Sequence, residues 1–596
     1  MGTGKTKTLG RRVAAGSIMG MGANVVFLAS RLALTPFILA YVSLADFGLW
    51  SVCFIVLSYA GLTAFGIQNA YVKYVAQYNA EGNLESASVL VSTGLVVMTG
   101  VSLVLFAALL GCVPLFMTLF DIDPDLRELA GFMILGTAAA FLLDLTFSAF
   151  RGVLEGMQEI VLSRSVWLAA TLLELALVFV FLPLGYGIRG VLYAYALKTV
   201  FEVLVNMLFA FRKVPGLRVG PRYVRREALH ALFVFGGKVQ FLGVLGIFLG
   251  TFDRIVTTAM LGLSATGLFE VARKLPFTGR SITGAAFVPF LPAASSLGGD
   301  WLESPAPTVQ QKFRKYMALC LLALVGSCFL IAPLAFYDWQ QRGYGWSEPS
   351  FWAMCLSVLL LFLPGIQIFA WLRRFISGGE YLESPKLVEL YLTGCRHINL
   401  VNFTLYAFLA AAANELLYTW LGTGYDGAEH IMRVICIVSL VHLATGAGTA
   451  VFKGVNRTGR ELEYTLMQLV LALLWIPGLA WSYGLYGAVL GVALSTIPPS
   501  CYFIVRTNQA LRIAWREYFV RTVLPGFAPI LSGGLVWLVL SQLPQFSRWT
   551  TLFVLGGLGL GYLTVTAFLL WALFVTQEEM GMVRNAFSRL WAKLRG

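Results

Sequence analysis

Residues 88–112 read SVLVSTGLVVMTGVSLVLFAALLGC, a run with no charged side chain. As an α-helix it is about 37 Å long at about 1.5 Å per residue, enough to cross a hydrocarbon layer about 30 Å thick. A backbone in hydrocarbon has no water to bond with, so such a run must be helical. Comparable runs recur from Ala14 to Thr576, separated by short polar breaks. They number about sixteen, beginning at 14–41 and ending at 550–575, and include 46–73, 236–262, 266–298, 314–336, 350–372, 463–482 and 485–505. The chain's 596 residues are 58% hydrophobic and 12% charged, with a mean hydropathy of +0.78, against about 25% charged in a soluble domain. The expected class is an all-α polytopic membrane protein.

A net charge of +13 would suggest a nucleic-acid partner if it formed a patch, but it is dispersed along the chain and no such partner is expected. Lys5, Lys7, Arg11 and Arg12 precede the first span, Arg212 to Arg226 fill a central loop, and Arg584 to Arg595 end the chain. Alternate loops hold mainly Arg127, Arg189, Arg342 and Arg548. The positive-inside rule then places the basic loops and both termini in the cytoplasm, which an even number of spans requires. The first apolar run continues to about Tyr41 without a small-residue cleavage site, so it reads as a retained span.

Three landmarks recur in the same order. Leu44-Ala45-Asp46-Phe47-Gly48-Leu49-Trp50 resembles Leu263-Ser264-Ala265-Thr266-Gly267-Leu268-Phe269, Phe150-Arg151-Gly152-Val153 resembles Phe452-Lys453-Gly454-Val455, and Gly187-Ile188-Arg189-Gly190 resembles Gly484-Leu485-Tyr486-Gly487. The first pair is offset by 219 and the second by 302, so about 80 residues were added to the second copy. Gly298 to Pro305 recurring as Gly378 to Pro385 locates that addition, the helix pair 314–372. The expected organisation is two six-helix lobes related by a pseudo-twofold repeat. The first lobe spans 1–212, a linker with an amphipathic helix 213–235, and the second lobe 236–510 with the inserted pair 314–372 packed outside its core. A C-terminal helix pair and basic tail occupy 511–596.

These residues also resemble a known family. A first helix broken by Pro36, the Asp46 to Trp50 turn, Phe150-Arg151-Gly152, Asp253 and the segment Leu261 to Ala272 are similar to the polysaccharide-transport (oligosaccharide flippase) family of the multidrug/oligosaccharidyl-lipid/polysaccharide exporter superfamily. The resemblance covers most of 10–300 and 397–510. It implies a two-lobed carrier of the cytoplasmic (inner) membrane. Such a carrier moves a polyprenyl-pyrophosphate-linked oligosaccharide outward by alternating access for surface polysaccharide synthesis, among membrane lipids, a polysaccharide polymerase and glycosyltransferases. The alternatives are an ion-coupled multidrug or small-molecule antiporter of the same superfamily and a membrane-embedded glycosyl-transferring enzyme. The first favours an acidic cavity, and the second needs larger outward loops than this chain has, so no enzyme activity is expected.

Ionisable groups deep in a membrane are costly and mark candidate sites. Arg31, Arg254, Arg273 and Arg280 form a candidate anion track, since planar guanidinium groups match phosphate oxygens bidentately. Arg273 and Arg280 lie about two helical turns apart on one face, with Glu270 beside Arg273. Asp144, Glu174, Asp253 and Glu270 either couple an ion or act as charge partners, and Lys198 and Glu202 are spaced to pair with each other. The eight cysteines and four histidines lack ligand spacing, so neither a metal nor another cofactor is expected. Gly2-Thr3-Gly4-Lys5-Thr6 lacks the first glycine and strand of a phosphate-binding loop, and Gly556 to Gly561 reads as helix packing.

Overall fold

The computed structural model describes residues 2–64, 67–286, 290–297, 384–455, 457 and 459–574. Among these residues there are helices, turns and no strand. The first helices are α1 (Gly2–Leu39), α2 (Leu44–Ala60), α3 (Ile67–Ala80), α4 (Leu84–Leu119), α5 (Pro124–Gly156), α6 (Ile160–Phe181), α7 (Gly187–Lys213), α8 (Arg226–Ala286) and α9 (Phe290–Leu297). Then come α10 (Pro385–Ala411), α11 (Ala413–Leu421), α12 (Ala428–Leu443), α13 (Gly446–Gly454), α14 (Gly459–Ala510), α15 (Phe527–Gln542) and α16 (Arg548–Leu573). Ten described stretches are long and apolar enough to cross a membrane, or 11 if α10 and α11, bent by 71°, form one span. The chain is a multi-pass membrane protein. The inserted pair expected at 314–372 and the basic tail lie outside the described residues.

Sequence breaks and structural breaks coincide at two glycines. The expected boundary between 236–262 and 266–298 falls inside α8, where Gly262 interrupts the helix at φ 82°. That between 463–482 and 485–505 falls inside α14, at Gly484 with φ 58°. Both conformations are left-handed, where glycine alone escapes the Cβ clash. By contrast, the run expected as one span over 46–73 is divided into α2, a 3-10 turn at Gly61–Ala64 and α3. The amphipathic helix expected near 222–235 is not a separate element, because residues from Arg226 onward continue into α8.

Contacts divide the chain into two compact units. The first holds Met1–Leu275, Thr423–Ala428 and Ala480–Ala488, and the second Pro276–Gly422, Glu429–Leu479 and Val489–Gly596. In the first, α5 packs on α3, α4 and α7, and α6 on α1 and α7. The segment joining α7 to α8 is fastened to α4, where Ser88, Ser92 and Thr93 hydroxyls accept the N–H groups of Arg218, Gly220 and Arg225 at 3.0, 3.2 and 3.0 Å. In the second, α10 packs on α13 and α15, and α9 on α13.

The first two repeated landmarks are places of close approach, whereas a Cβ on Gly187 or Gly484 of the third would meet nothing within 4 Å. A Cβ on Gly48 would sit 2.0 Å from the Leu263 carbonyl oxygen, and one on Gly267 would sit 2.2 Å from that of Leu44. The two copies of the turn thus meet reciprocally within the first unit, each glycine against the other copy's leucine carbonyl. Ser43 caps α2 beside this contact, its hydroxyl accepting the Asp46 N–H at 3.1 Å. At the second landmark a Cβ on Gly152 would meet Tyr71 at 2.6 Å, and one on Gly454 would meet Ala294 at 2.5 Å.

Because backbone cannot yield as a side chain can, Gly48→Ala and Gly267→Ala are each expected to destabilise the protein by about 1–3 kcal/mol. Gly100→Ala in α4, where a Cβ meets nothing within 4 Å, is the control. Thermal unfolding in detergent checks this, and equal melting of all three variants would contradict the reciprocal contact.

Candidate functional site: a paired guanidinium cluster

Five helices of the first unit carry ionisable side chains into its interior. α1 contributes Arg31, α5 Asp144 and Arg151, α6 Glu174, α7 Lys198 and Glu202, and α8 Asp253, Arg254, Glu270, Arg273 and Lys274. In an apolar setting a lone charge is expensive, and a partner with good hydrogen-bond geometry offsets part of that expense. Arg31 meets Glu174 through two parallel bonds of 2.8 Å each, the planar fork on carboxylate that guanidinium geometry favours. Glu174 is 2% exposed and Arg31 27%, so the pair offers its cationic side to the more open space.

α8 holds a tighter group. Arg273 Nη1 donates to Asp253 Oδ2 at 3.0 Å and stands 3.6 Å from Glu270 Oε1. Asp253 Oδ1 accepts the Arg254 N–H at 2.9 Å. Arg254 Nε lies 3.4 Å from Glu270 Oε1, yet both atoms are buried and neither has a hydrogen bond among the described residues. The charges are matched while the bond geometry is not. Lys274 lies within electrostatic range of Glu270, Arg31, Arg254 and Arg273, which joins the α1 and α8 groups. Aromatic rings back the cations, with Phe27 5.0 Å from the Arg31 guanidinium and Phe269 5.3 Å from that of Arg273.

The third group is centred on Arg151, which reaches Glu202 at 3.0 Å and Asp144 at 3.6 Å. Lys198 closes on Glu202 at 2.9 Å, the i,i+4 pairing its spacing suggests. Tyr195 lies within electrostatic range of Arg31, Glu174, Asp144 and Glu202 and so links this group to the first.

The geometry gives each arginine of the expected anion track its surroundings. Arg31, Arg254 and Arg273 each stand beside a carboxylate, and Glu174, Asp253 and Glu270 are those carboxylates. Arg280 falls in the second unit, where its guanidinium is 5.5 Å from the Phe277 ring and within electrostatic range of Tyr406, His442 and Tyr464. The face shared by Arg273 and Arg280 on one helix therefore does not make one site within the first unit. Asp144 partners Arg151, a residue that the sequence marks only as a repeat landmark. Its seven-residue separation from Asp144, two turns on one helix face, is the signal that could have found it. Counted over the described residues of this cluster, Arg31, Arg151, Lys198, Arg254, Arg273 and Lys274 face Asp144, Glu174, Glu202, Asp253 and Glu270, a formal surplus of one positive charge.

Residues 24–297, which contain the whole cluster, match the family described as Polysaccharide biosynthesis protein. That match covers somewhat less than half of the 596-residue chain. Two solved structures share the fold across nearly their entire lengths. One is a multidrug resistance MATE family transporter of the MOP superfamily in an inward-facing conformation, at 15% identity, with 83% of this chain and 96% of that chain covered and a TM-score of 0.56. The other is the lipid II flippase MurJ in an inward closed conformation, at 10% identity, 94% and 99% coverage and a TM-score of 0.57. No curated protein sequence matches. The chain thus shares the fold of these two structures, and the ion-paired cluster lies in the stretch that matches the family.

Arg31→Ala strands the buried Glu174 carboxylate and is expected to cost about 3–5 kcal/mol, whereas Arg31→Ala with Glu174→Ala together loses less than the sum of the two single losses. Chemical denaturation of the four proteins in one detergent measures the coupling; strict additivity would mean the pair is not formed.

Proposed function

We propose that this protein is a flippase that carries a polyprenyl-pyrophosphate-linked oligosaccharide across the cytoplasmic membrane by alternating access, for surface polysaccharide synthesis. The observation that carries the reading is the α8 group. Arg254 and Arg273 are held beside Glu270 at 3.4 and 3.6 Å, and the facing atoms Arg254 Nε and Glu270 Oε1 are buried without a hydrogen bond among the described residues. A diphosphate offers more oxygens in better geometry than one shared carboxylate, so it can take over these guanidinium groups without leaving them bare at any stage. Arg31, bonded to Glu174 and partly exposed, is the third contact. Arg151 ties α5 to α7 through Glu202, and Asp144 beside it sets the local charge. The basic loops place both termini in the cytoplasm.

The membrane potential supplies direction. A diphosphate carrying about two negative charges moves outward through an inside-negative potential with about 4.6 kcal/mol of release per 100 mV, from about 2.3 per charge. The empty cluster has a formal surplus of one positive charge and the loaded cluster about one negative. The same field therefore draws the loaded site outward and returns the empty one, and no antiported ion is obligatory. An organic-cation antiporter would need the opposite balance.

Reconstitution in proteoliposomes, with the potential and the proton and sodium gradients set independently, tests this reading. Flipping of a polyprenyl-diphosphate saccharide is expected to follow the potential and to fall about tenfold or more in Arg254→Gln and Arg273→Gln. Flipping that requires an ion gradient and ignores the potential would overturn the mechanism, and full activity in both variants would overturn the site.

A further inference from the structure

The second unit holds a cavity of its own. Where α10 bends by 71° into α11, a space of about 250 Å³ is lined by Asn414 and Glu415 of α11, Glu429 and Arg433 of α12, and Trp537 and Ser541 of α15. All six residues belong to that unit. Beside it, Arg548 Nε donates to the Thr419 carbonyl at 2.8 Å, and the Tyr418 hydroxyl donates to the Phe546 carbonyl at 3.3 Å. The cavity thus sits at the end marked by the Arg548 loop, which the positive-inside reading assigns to the outer face.

The charges lining the cavity do not pair with one another. Glu429 precedes Arg433 by four residues, the helical spacing at which a carboxylate and a guanidinium meet. Yet Glu429 stands 3.2 Å from His430 Nε2, and Arg433 Nε donates to the Ala410 carbonyl at 3.3 Å. That carbonyl belongs to the last turn of α10, where the bend interrupts the helical ladder. Glu415 accepts the Asn414 side-chain amide at 3.3 Å. Among the described residues no ion pair joins Arg433 to either carboxylate. Both carboxylates lie in the first turn of a helix, whose positive end favours their ionised form. The cavity therefore presents two negative charges and one positive charge, kept apart, beside an indole ring that is 52% exposed.

We infer that this cavity binds the headgroup of a zwitterionic phospholipid with a primary ammonium, Glu415 and Glu429 taking the ammonium and Arg433 the phosphate. A volume of about 250 Å³ holds roughly eight water-sized groups at about 30 Å³ each, which suits a phosphoethanolamine. A guanidinium matches phosphate oxygens, and the carboxylates with the Ser541 hydroxyl can accept the N–H bonds of an ammonium. A quaternary ammonium has no N–H to give and favours a cage of aromatic rings, whereas one ring lines this cavity. An anionic headgroup would meet a net negative lining. Depth agrees with this ligand, because tryptophan is enriched at the headgroup level of a bilayer. One to two turns back along α15 from Trp537, Gly534 has open space around it and Ile530 and Leu531 are exposed, a track for acyl chains. The site lies wholly in the second unit, so it does not depend on the transport reading of the first.

The test is calorimetric titration of the full-length protein in neutral detergent with short-chain phosphatidylethanolamine, phosphatidylcholine and phosphatidylglycerol, and with a methyl glucoside. Saturable binding of phosphatidylethanolamine is expected, about tenfold or more tighter than that of the other three. Glu415→Gln with Glu429→Gln is expected to weaken it about tenfold or more and to tighten phosphatidylglycerol, since Arg433 remains while the opposing charge is gone. Damage to the fold would weaken both. Ser541→Trp fills the cavity from its exposed rim. It is expected to abolish phosphatidylethanolamine binding at an unchanged melting temperature, and it decides the matter if the double variant does not fold. Equal binding of phosphatidylethanolamine and phosphatidylcholine, phosphatidylethanolamine binding unchanged in either variant, or weakened phosphatidylglycerol binding in the double variant would overturn the site. Saturable glucoside binding that Ser541→Trp removes, without phosphatidylethanolamine binding, would assign the cavity to a saccharide instead.

Discussion

A guanidinium group among apolar helices must be paired, and that requirement organises the first compact unit. Arg31 on α1 finds its carboxylate on α6, 143 residues later, and Arg151 on α5 finds one 51 residues away on α7. Each such pair crosses a helix interface, so the helices that pack together are also those whose charges cancel. Buried pairs of this kind add little net stability when complete and cost much when halved. They act as a constraint on which packings are tolerated. The reciprocal approach of Gly48 to Leu263 and of Gly267 to Leu44 imposes a second, steric constraint at the same helices. Charge enters from α8 beside the point where α2 and α8 touch most closely.

On the proposed flippase reading, the same pairing shapes function. An arginine cluster without carboxylates would attract any anion and would be difficult to bury. One in which Glu270 serves both Arg254 and Arg273 admits only an anion that pairs better than a carboxylate does. Competition of that kind is a source of specificity, because the weaker anion is excluded by a group already in place. In the second unit Arg280 lies within electrostatic range of Tyr406, His442 and Tyr464.

Much of the fold was legible because its signals are local. Apolar run length marks helices, and Gly262 and Gly484 break α8 and α14 where the polar pattern breaks. Gly48, Gly152, Gly267 and Gly454 of the first two landmarks each admit a neighbour too close for a Cβ, a demand on one residue that a local motif can carry. The site was legible only as an inventory. Arg31, Arg254, Arg273, Glu174, Asp253 and Glu270 stand out as charges in apolar runs, but which of them meet depends on helix rotation and on contacts more than a hundred residues apart. For that reason the sequence left open whether the carboxylates couple an ion or pair with the arginines, and the fold brings them together as pairs. Arg151 escaped notice as a site residue for a related reason, since it closes a helix near a polar loop and only the packing of α5 on α7 brings Glu202 to it.

The central claim is that Glu270 occupies the place of the transported anion. Titration of a short-chain prenyl diphosphate into purified wild-type and Glu270→Gln protein tests it most directly. Freed from the carboxylate, Arg254 and Arg273 should bind the diphosphate several-fold more tightly in Glu270→Gln, with the gain abolished when Arg254→Gln is added. Equal or weaker binding by Glu270→Gln in a protein of native melting temperature would contradict the account.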